Sequence, residues 1–112
     1  MTSVAAVREL AATLPRSEEK LIRDRIKFRV GSIVYLAFSA DETLLGFAFP
    51  KEERDAMIAA APAKFILPRP SDLRFNWLVC HLAAIDDAEM TELVLEAWRM
   101  VVPKRVAAAR LG

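Results

Sequence analysis

Apolar and polar positions recur along this chain with two different periods, and the changes of period divide it into elements. Val4, Val7, Leu10, Ala11 and Leu14 fall at helical spacing, an apolar stripe that predicts a helix over 4–14. Thr2 or Ser3 stands where a cap is needed, and Pro15 ends the helix because its ring and missing N–H do not fit a helix interior. Arg16 to Lys20 reads as a polar connection. The period then shortens to two. Ile22, Ile26, Phe28 and Val30 share one face of a strand, and Arg23, Arg25, Lys27 and Arg29 share the other. Asp24 breaks the apolar face, so pairing is expected to start near Arg25. Gly31-Ser32 is a tight-turn signal, and Ile33 to Phe38 is apolar on both faces, as in a strand inside a sheet.

Asp41-Glu42 marks another turn, and Thr43 to Phe49 is a third apolar strand with Gly46 inside it. Pro50 suits the start of a helix, and Glu52, Glu53 and Asp55 follow where the helix dipole favours anions. That helix runs to about Ala60 and stops before Pro62. Lys64 to Leu67 predicts a short strand, Pro68 to Asp72 a loop, and Asn76 to Leu82 a further strand. Asp86 reads as an N-cap with Glu89 as its capping-box partner. Met90, Leu93, Val94, Ala97, Trp98 and Val101 then form a long helical stripe. Pro103 ends or kinks it, leaving Lys104 to Arg110 as a short helix or a frayed tail. The element order is α-β-β-β-α-β-β-α.

Composition narrows the class. A chain of 112 residues, 54% apolar and 28% charged, is expected to fold as a single globular domain over 1–112. No apolar run approaches the roughly 18 residues of a membrane helix, so no membrane partner is expected. Arg8 and Glu9 interrupt the first apolar stretch, which does not read as a signal peptide, and Cys80 is the only cysteine. A cytoplasmic protein without disulfides is the simplest expectation. The net charge of +1 supplies no global field for nucleic acid, but its distribution is uneven. Residues 1–30 carry seven Lys/Arg against four Asp/Glu, so the basic excess lies in the alternating strand and the segments before it.

The order and spacing of several short motifs resemble the MmcQ/YjbR family of small bacterial proteins. They are Leu14-Pro15 with Glu18-Glu19 behind it, Lys27-Phe28-Arg29-Val30 before a glycine, and Pro50-Lys51-Glu52-Glu53. Trp77-Leu78-Val79, then Ala97-Trp98-Arg99 leading into Val102-Pro103-Lys104-Arg105, complete the series. The segment Leu73-Arg74-Phe75-Asn76-Trp77 departs from the aromatic and glycine residues the family carries before the tryptophan. The resemblance implies an α+β two-layer sandwich with an antiparallel sheet, of the type shared with secretion chaperones. Five strands with helices on one face fit the element order. The family is described as DNA-binding, which implies DNA as a partner.

Candidate chemistry is sparse. Cys80 and His81 are neighbours in a strand and point to opposite faces, so they do not form a dyad. His81 has no second histidine to share a metal, and each carboxylate cluster has a local reading as turn, first helical turn or cap. Three glycines, at 31, 46 and 112, make no phosphate loop. No cofactor is expected, and a non-enzymatic binding module is the leading reading. Its candidate residues are Arg23, Arg25, Lys27 and Arg29, spaced about 6.7 Å along one strand face, a spacing that suits successive phosphates. Arg69, Arg74, Lys104 and Arg105 are candidates to extend that surface. The same row also reads as a solvated strand face that discourages edge pairing. Trp98 is expected in the core, and Trp77 as a core anchor ahead of a stacking role. The alternative function is a protein-interaction module, monomer or weak dimer, docking a partner or a second copy on the exposed sheet face. A small-molecule or enzymatic site near 68–81 ranks third.

Overall fold

The computed structural model describes residues 1–111, with side chains through Arg110. Helix α1 (Val4–Ala12) is followed by strands β1 (Ser17–Ile22), β2 (Arg25–Val30), β3 (Ile33–Phe38) and β4 (Leu44–Ala48). Helix α2 (Lys51–Ala60), strands β5 (Phe65–Ile66) and β6 (Trp77–His81), and helices α3 (Asp87–Arg99) and α4 (Lys104–Leu111) complete the order. All strands pair antiparallel in one sheet, ordered β1-β2-β3-β4-β6-β5. The α+β architecture matches expectation; the sheet has six strands where five were expected.

The additional strand is β1, formed by the segment expected to be a polar connection. It is an edge strand, and its charges hide it from a period-two reading. Glu19 pairs across from Phe28, on the helix side, yet meets Arg8 of α1 at 2.8 Å instead of joining the core. Leu21, on the same side, is 70% exposed. A charged edge of this kind resists pairing with other chains. Arg23 and Asp24 make the two-residue turn into β2, both at positive φ (53° and 63°), as in a type I′ hairpin. Arginine gives no turn signal at such a position, so the sequence conceals this hairpin. Gly31, at φ 59°, turns β2 into β3 as the sequence predicts.

A bulge then sets the inner face. Phe28 pairs with Leu36 but Arg29 pairs with Val34, so β3 carries Tyr35 as an extra residue. Tyr35 and Leu36 are both fully buried. The Tyr35 hydroxyl lies 2.6 Å from Ser17 Oγ, which fastens the edge strand to the middle of the sheet. Burial pushes the Tyr35 phenol above its ordinary pKa, and the Ser17 hydrogen bond opposes the shift.

Phe28, Leu36, Phe47 and Leu78 line up across the inner face by register, beside Phe38, Leu45, Cys80 and Phe65. Helix α1 covers them with Val7 and Ala11 and α3 with Met90, Val94, Ala97 and Trp98, and Ala107 of α4 joins the same core. The Trp98 indole is fully buried, and its N–H donates to the Pro15 carbonyl at 2.9 Å. Left unpaired, that donor would cost roughly 1–3 kcal/mol. Ser3 caps α1, and Asp86 caps α3 by accepting from the Glu89 N–H. The Glu89 carboxylate does not return to Asp86 as a capping box would; it accepts from Lys64 Nζ at 3.0 Å. Pro103 starts α4, where the sequence left a helix or a tail open.

Cys80 faces this core and is fully buried. Desolvation first, then the Glu89 carboxylate, push its thiol from the ordinary 9.0 up to about 12. The folded state therefore keeps its proton where the unfolded state has lost it, so stability falls as pH rises from 9.0 towards 12. Native protein at pH 8 should resist a disulfide-exchange thiol reagent and react on unfolding in urea. Cys80→Ala should flatten the alkaline loss of stability; labelling of the native fold at full rate would contradict this burial.

Candidate functional site

The face away from the core changes character from one edge of the sheet to the other. One row of paired positions crosses all six strands: Lys20, Lys27, Ala37, Gly46, Val79 and Ile66. It begins as two cations directly opposite each other and ends as small apolar side chains. The neighbouring row runs Glu18, Arg29, Val34. Alternation in β2 dictates the cations, and a sheet centre apolar on both faces dictates the rest.

Helices α1, α3 and α4 do not cover this second face. Residues 68–77 fold over part of it, and a groove of about 550 Å³ results. Val34, Ala37, Gly46, Ala48 and Val79 are in its floor; Arg25 and Lys27 stand at the β2 side. Pro68, Arg69, Asp72, Phe75 and Asn76 contribute the opposite side, and Met100 and Val101 also border it.

The wall is held by α2. Arg54 donates to the carbonyls of Leu73 (2.9 Å), Phe75 (3.2 Å) and Trp77 (3.1 Å). Its side chain is buried without a carboxylate partner, and its Nε has no partner among the described residues. The Lys51 N–H donates to Asn76 Oδ1, and Lys51 Nζ donates to the Arg74 carbonyl.

Trp77 is on the open face, not in the core. It pairs with Ala48, and its indole lies against Gly46 so closely that a Cβ there would meet Nε1 at 2.5 Å. Gly46 is thus required by close approach of an aromatic ring across the strand pair.

The candidate residues separate into groups. Arg25, Lys27 and Arg69 border the groove. Arg29 stands on the same face with its Nε buried and unpaired among the described residues. Among the described residues Arg25, Lys27 and Arg29 make no ion pair, whereas Arg69 reaches Asp72 at 3.4 Å. Arg23 leaves the row: it is exposed in the β1–β2 turn. Arg74 stacks its guanidinium 4.7 Å above the Phe75 ring and does not line the groove. Lys104 and Arg105 begin α4, exposed and outside the lining. Cys80 and His81 do face opposite ways, Cys80 paired to Leu45 inside and His81 to Leu44 outside.

Three features escape sequence reasoning. Lys20 joins the cations only because β1 exists, and it faces Lys27 while pairing with Glu18 at 3.5 Å. Arg54 looks like one charge in a charged helix. Gly46 and Trp77 are 31 positions apart in sequence, and only strand pairing joins them.

A family model described as YjbR matches residues 12–100. The fold is similar to that of Deinococcus radiodurans protein DR2400, which carries a DUF419 domain. The TM-score is 0.78 at 20% identity, over 94% of this chain and 82% of that one, a likeness of fold. No curated protein matches the chain.

Two substitutions test the architecture of the groove. Gly46→Ala should force the indole off the sheet, lowering stability by about 1–3 kcal/mol and changing the near-ultraviolet circular dichroism. Unfolding of Arg54→Met in urea should show a loss of about 1–3 kcal/mol, from three part-buried carbonyls left without their charged donor. Unchanged midpoints for both would remove the account of how the wall is held.

Proposed function

The chain belongs to the YjbR family, and we propose that this member is a binding module without chemistry of its own. Its interface is the open sheet face, and its partner is nucleic acid, held through phosphates. The observation that carries this reading is the uncompensated charge of the β1–β2 face. Lys20, Arg25, Lys27 and Arg29 share that face with one carboxylate, Glu18, which pairs only with Lys20 among the described residues. Like charges directly opposite in a sheet destabilise it by some tenths to about 1 kcal/mol, and a bound anion relieves that repulsion. Cations on neighbouring strands also present several donors to one backbone at once.

A second reading is docking of a partner protein or a second copy on the same face. Ile33, Phe75 and Met100, 54%, 50% and 42% exposed, border the groove and favour it. Light scattering separates the two, because the nucleic-acid reading expects a monomer at micromolar concentration.

Fluorescence anisotropy with labelled single-stranded and duplex DNA tests the leading proposal. Binding should be micromolar and weaken between about 50 and 200 mM salt. Exchange of Arg25, Lys27 and Arg29 for Ser should abolish it, and Lys20→Ser should reduce the salt slope by about 0.7–0.9. No binding of either form at low salt would overturn it.

A further inference from the structure

The groove is mismatched to a duplex and matched to a base. A duplex offers this face its phosphates, which the apolar floor of Val34, Ala37, Gly46 and Val79 cannot use. A single strand offers unpaired base faces with no cost of extrusion from a stack. We infer that the interface is built for single-stranded nucleic acid, with one base seated in the groove against Trp77 and its flanking phosphates on Lys27 and Lys20. The inference rests on the phosphate reading above and adds to it the class of strand and the place of the base.

Four observations converge on it. The groove measures about 550 Å³, within the roughly 300–1,000 Å³ of sites that hold small ligands. The Trp77 indole lies close against Gly46 and borders the groove while remaining only half-buried. Phe75, half-exposed, adds a second ring at the groove, and the Arg74 guanidinium outside the lining packs against that ring. Asn76 supplies a polar group at the groove: its Oδ1 is taken by the Lys51 N–H, and its amide NH2, without a partner among the described residues, can donate to an acceptor on a base edge.

Charge complementarity selects the occupant. The cations begin at Lys27, the next residue along the row from the apolar Ala37. A ligand of this site must therefore carry an apolar planar group and an anion as direct neighbours, as a nucleotide does. Stacking on an indole is tolerant of base identity, so weak sequence preference follows.

Tryptophan fluorescence reads the groove directly. Trp98 is fully buried and bonded to Pro15, a constant background, so quenching reports Trp77. The titrants are oligothymidylate, a duplex of the same length and an abasic strand of the same length. Oligothymidylate should quench the emission and bind at least tenfold more tightly than the other two. With binding read by anisotropy of labelled strands, Trp77→Leu should erase that tenfold preference while a weaker, salt-dependent affinity persists. Phe75→Ala, at a half-exposed position, should lower affinity for the strand with bases and leave the abasic strand unaffected.

Equal affinity for all three titrants, or equal quenching by the abasic strand, would overturn the base-in-groove inference and leave the phosphate reading standing. A Trp77 signal that changes with protein concentration alone would assign the groove to a second copy and overturn it too. Absence of binding by all three would overturn both.

Discussion

The Arg54 guanidinium, donating to the carbonyls of Leu73, Phe75 and Trp77, is the contact on which the open face depends. Three backbone acceptors in one short stretch cannot find partners in a regular strand, because the chain there is folding over the sheet. A single planar donor group with several N–H vectors satisfies them together, which a lysine could not do in a fixed geometry. Among the described residues no carboxylate is its partner, which is informative. The guanidinium serves the backbone, so the wall's shape, and not a charge pair, is what the buried arginine maintains.

That wall is needed because β3, β4 and β6 are apolar on both sides. Their inner side is covered by α1 and α3 through Val7, Val94, Ala97 and Trp98. Their outer side presents Val34, Ala37, Gly46, Ala48 and Val79, all small, and receives the Trp77 indole and the 68–76 segment, with Met100 and Val101 at its border. Small side chains under an incomplete cover make a groove; larger ones would fill it. The bulge at Tyr35 contributes by turning a bulky ring inward, next to the inward Leu36, that strict alternation from Leu36 would have directed outward. Groove and core are two consequences of one register.

Patterning predicts most of this fold because burial enforces it. The stripes of α1 and α3, the strand from Ile33 to Phe38, and the cap at Asp86 are all dictated by one-sided contact with a core. What patterning misses has no such contact. Residues 17–22 form a strand whose helix side meets an arginine and open solvent, so Glu19 and Leu21 carry no period-two signal. Arg23 turns the chain at positive φ without a glycine or asparagine to announce it. The candidate cations divide the same way: alternation finds Arg25, Lys27 and Arg29, but Lys20 depends on an unpredicted pairing. Arg69 is at the groove and Lys104 is not, a difference that only tertiary packing decides. Trp77 misleads for a related reason, since an aromatic in a strand reads as core when the sheet is expected to be covered on the side it faces.

Near-neutral total charge and a cationic interface are compatible once distances are considered. In physiological salt, charges further apart than about 8 Å are largely screened from one another. Acidic side chains elsewhere are engaged locally: Asp86 caps α3, Glu89 meets Lys64, and Glu96 meets Arg99. They do little to the potential at β2. Across the β1–β2 pair, by contrast, opposed side chains stand about 5 Å apart and successive ones on the face about 6.7 Å apart. Lys27 therefore lies within a single screening length of Lys20, Arg25 and Arg29, and each of these neighbouring pairs acts jointly on a shared anion. The net charge of the chain governs its behaviour at long range, but the strand register governs what this face can hold.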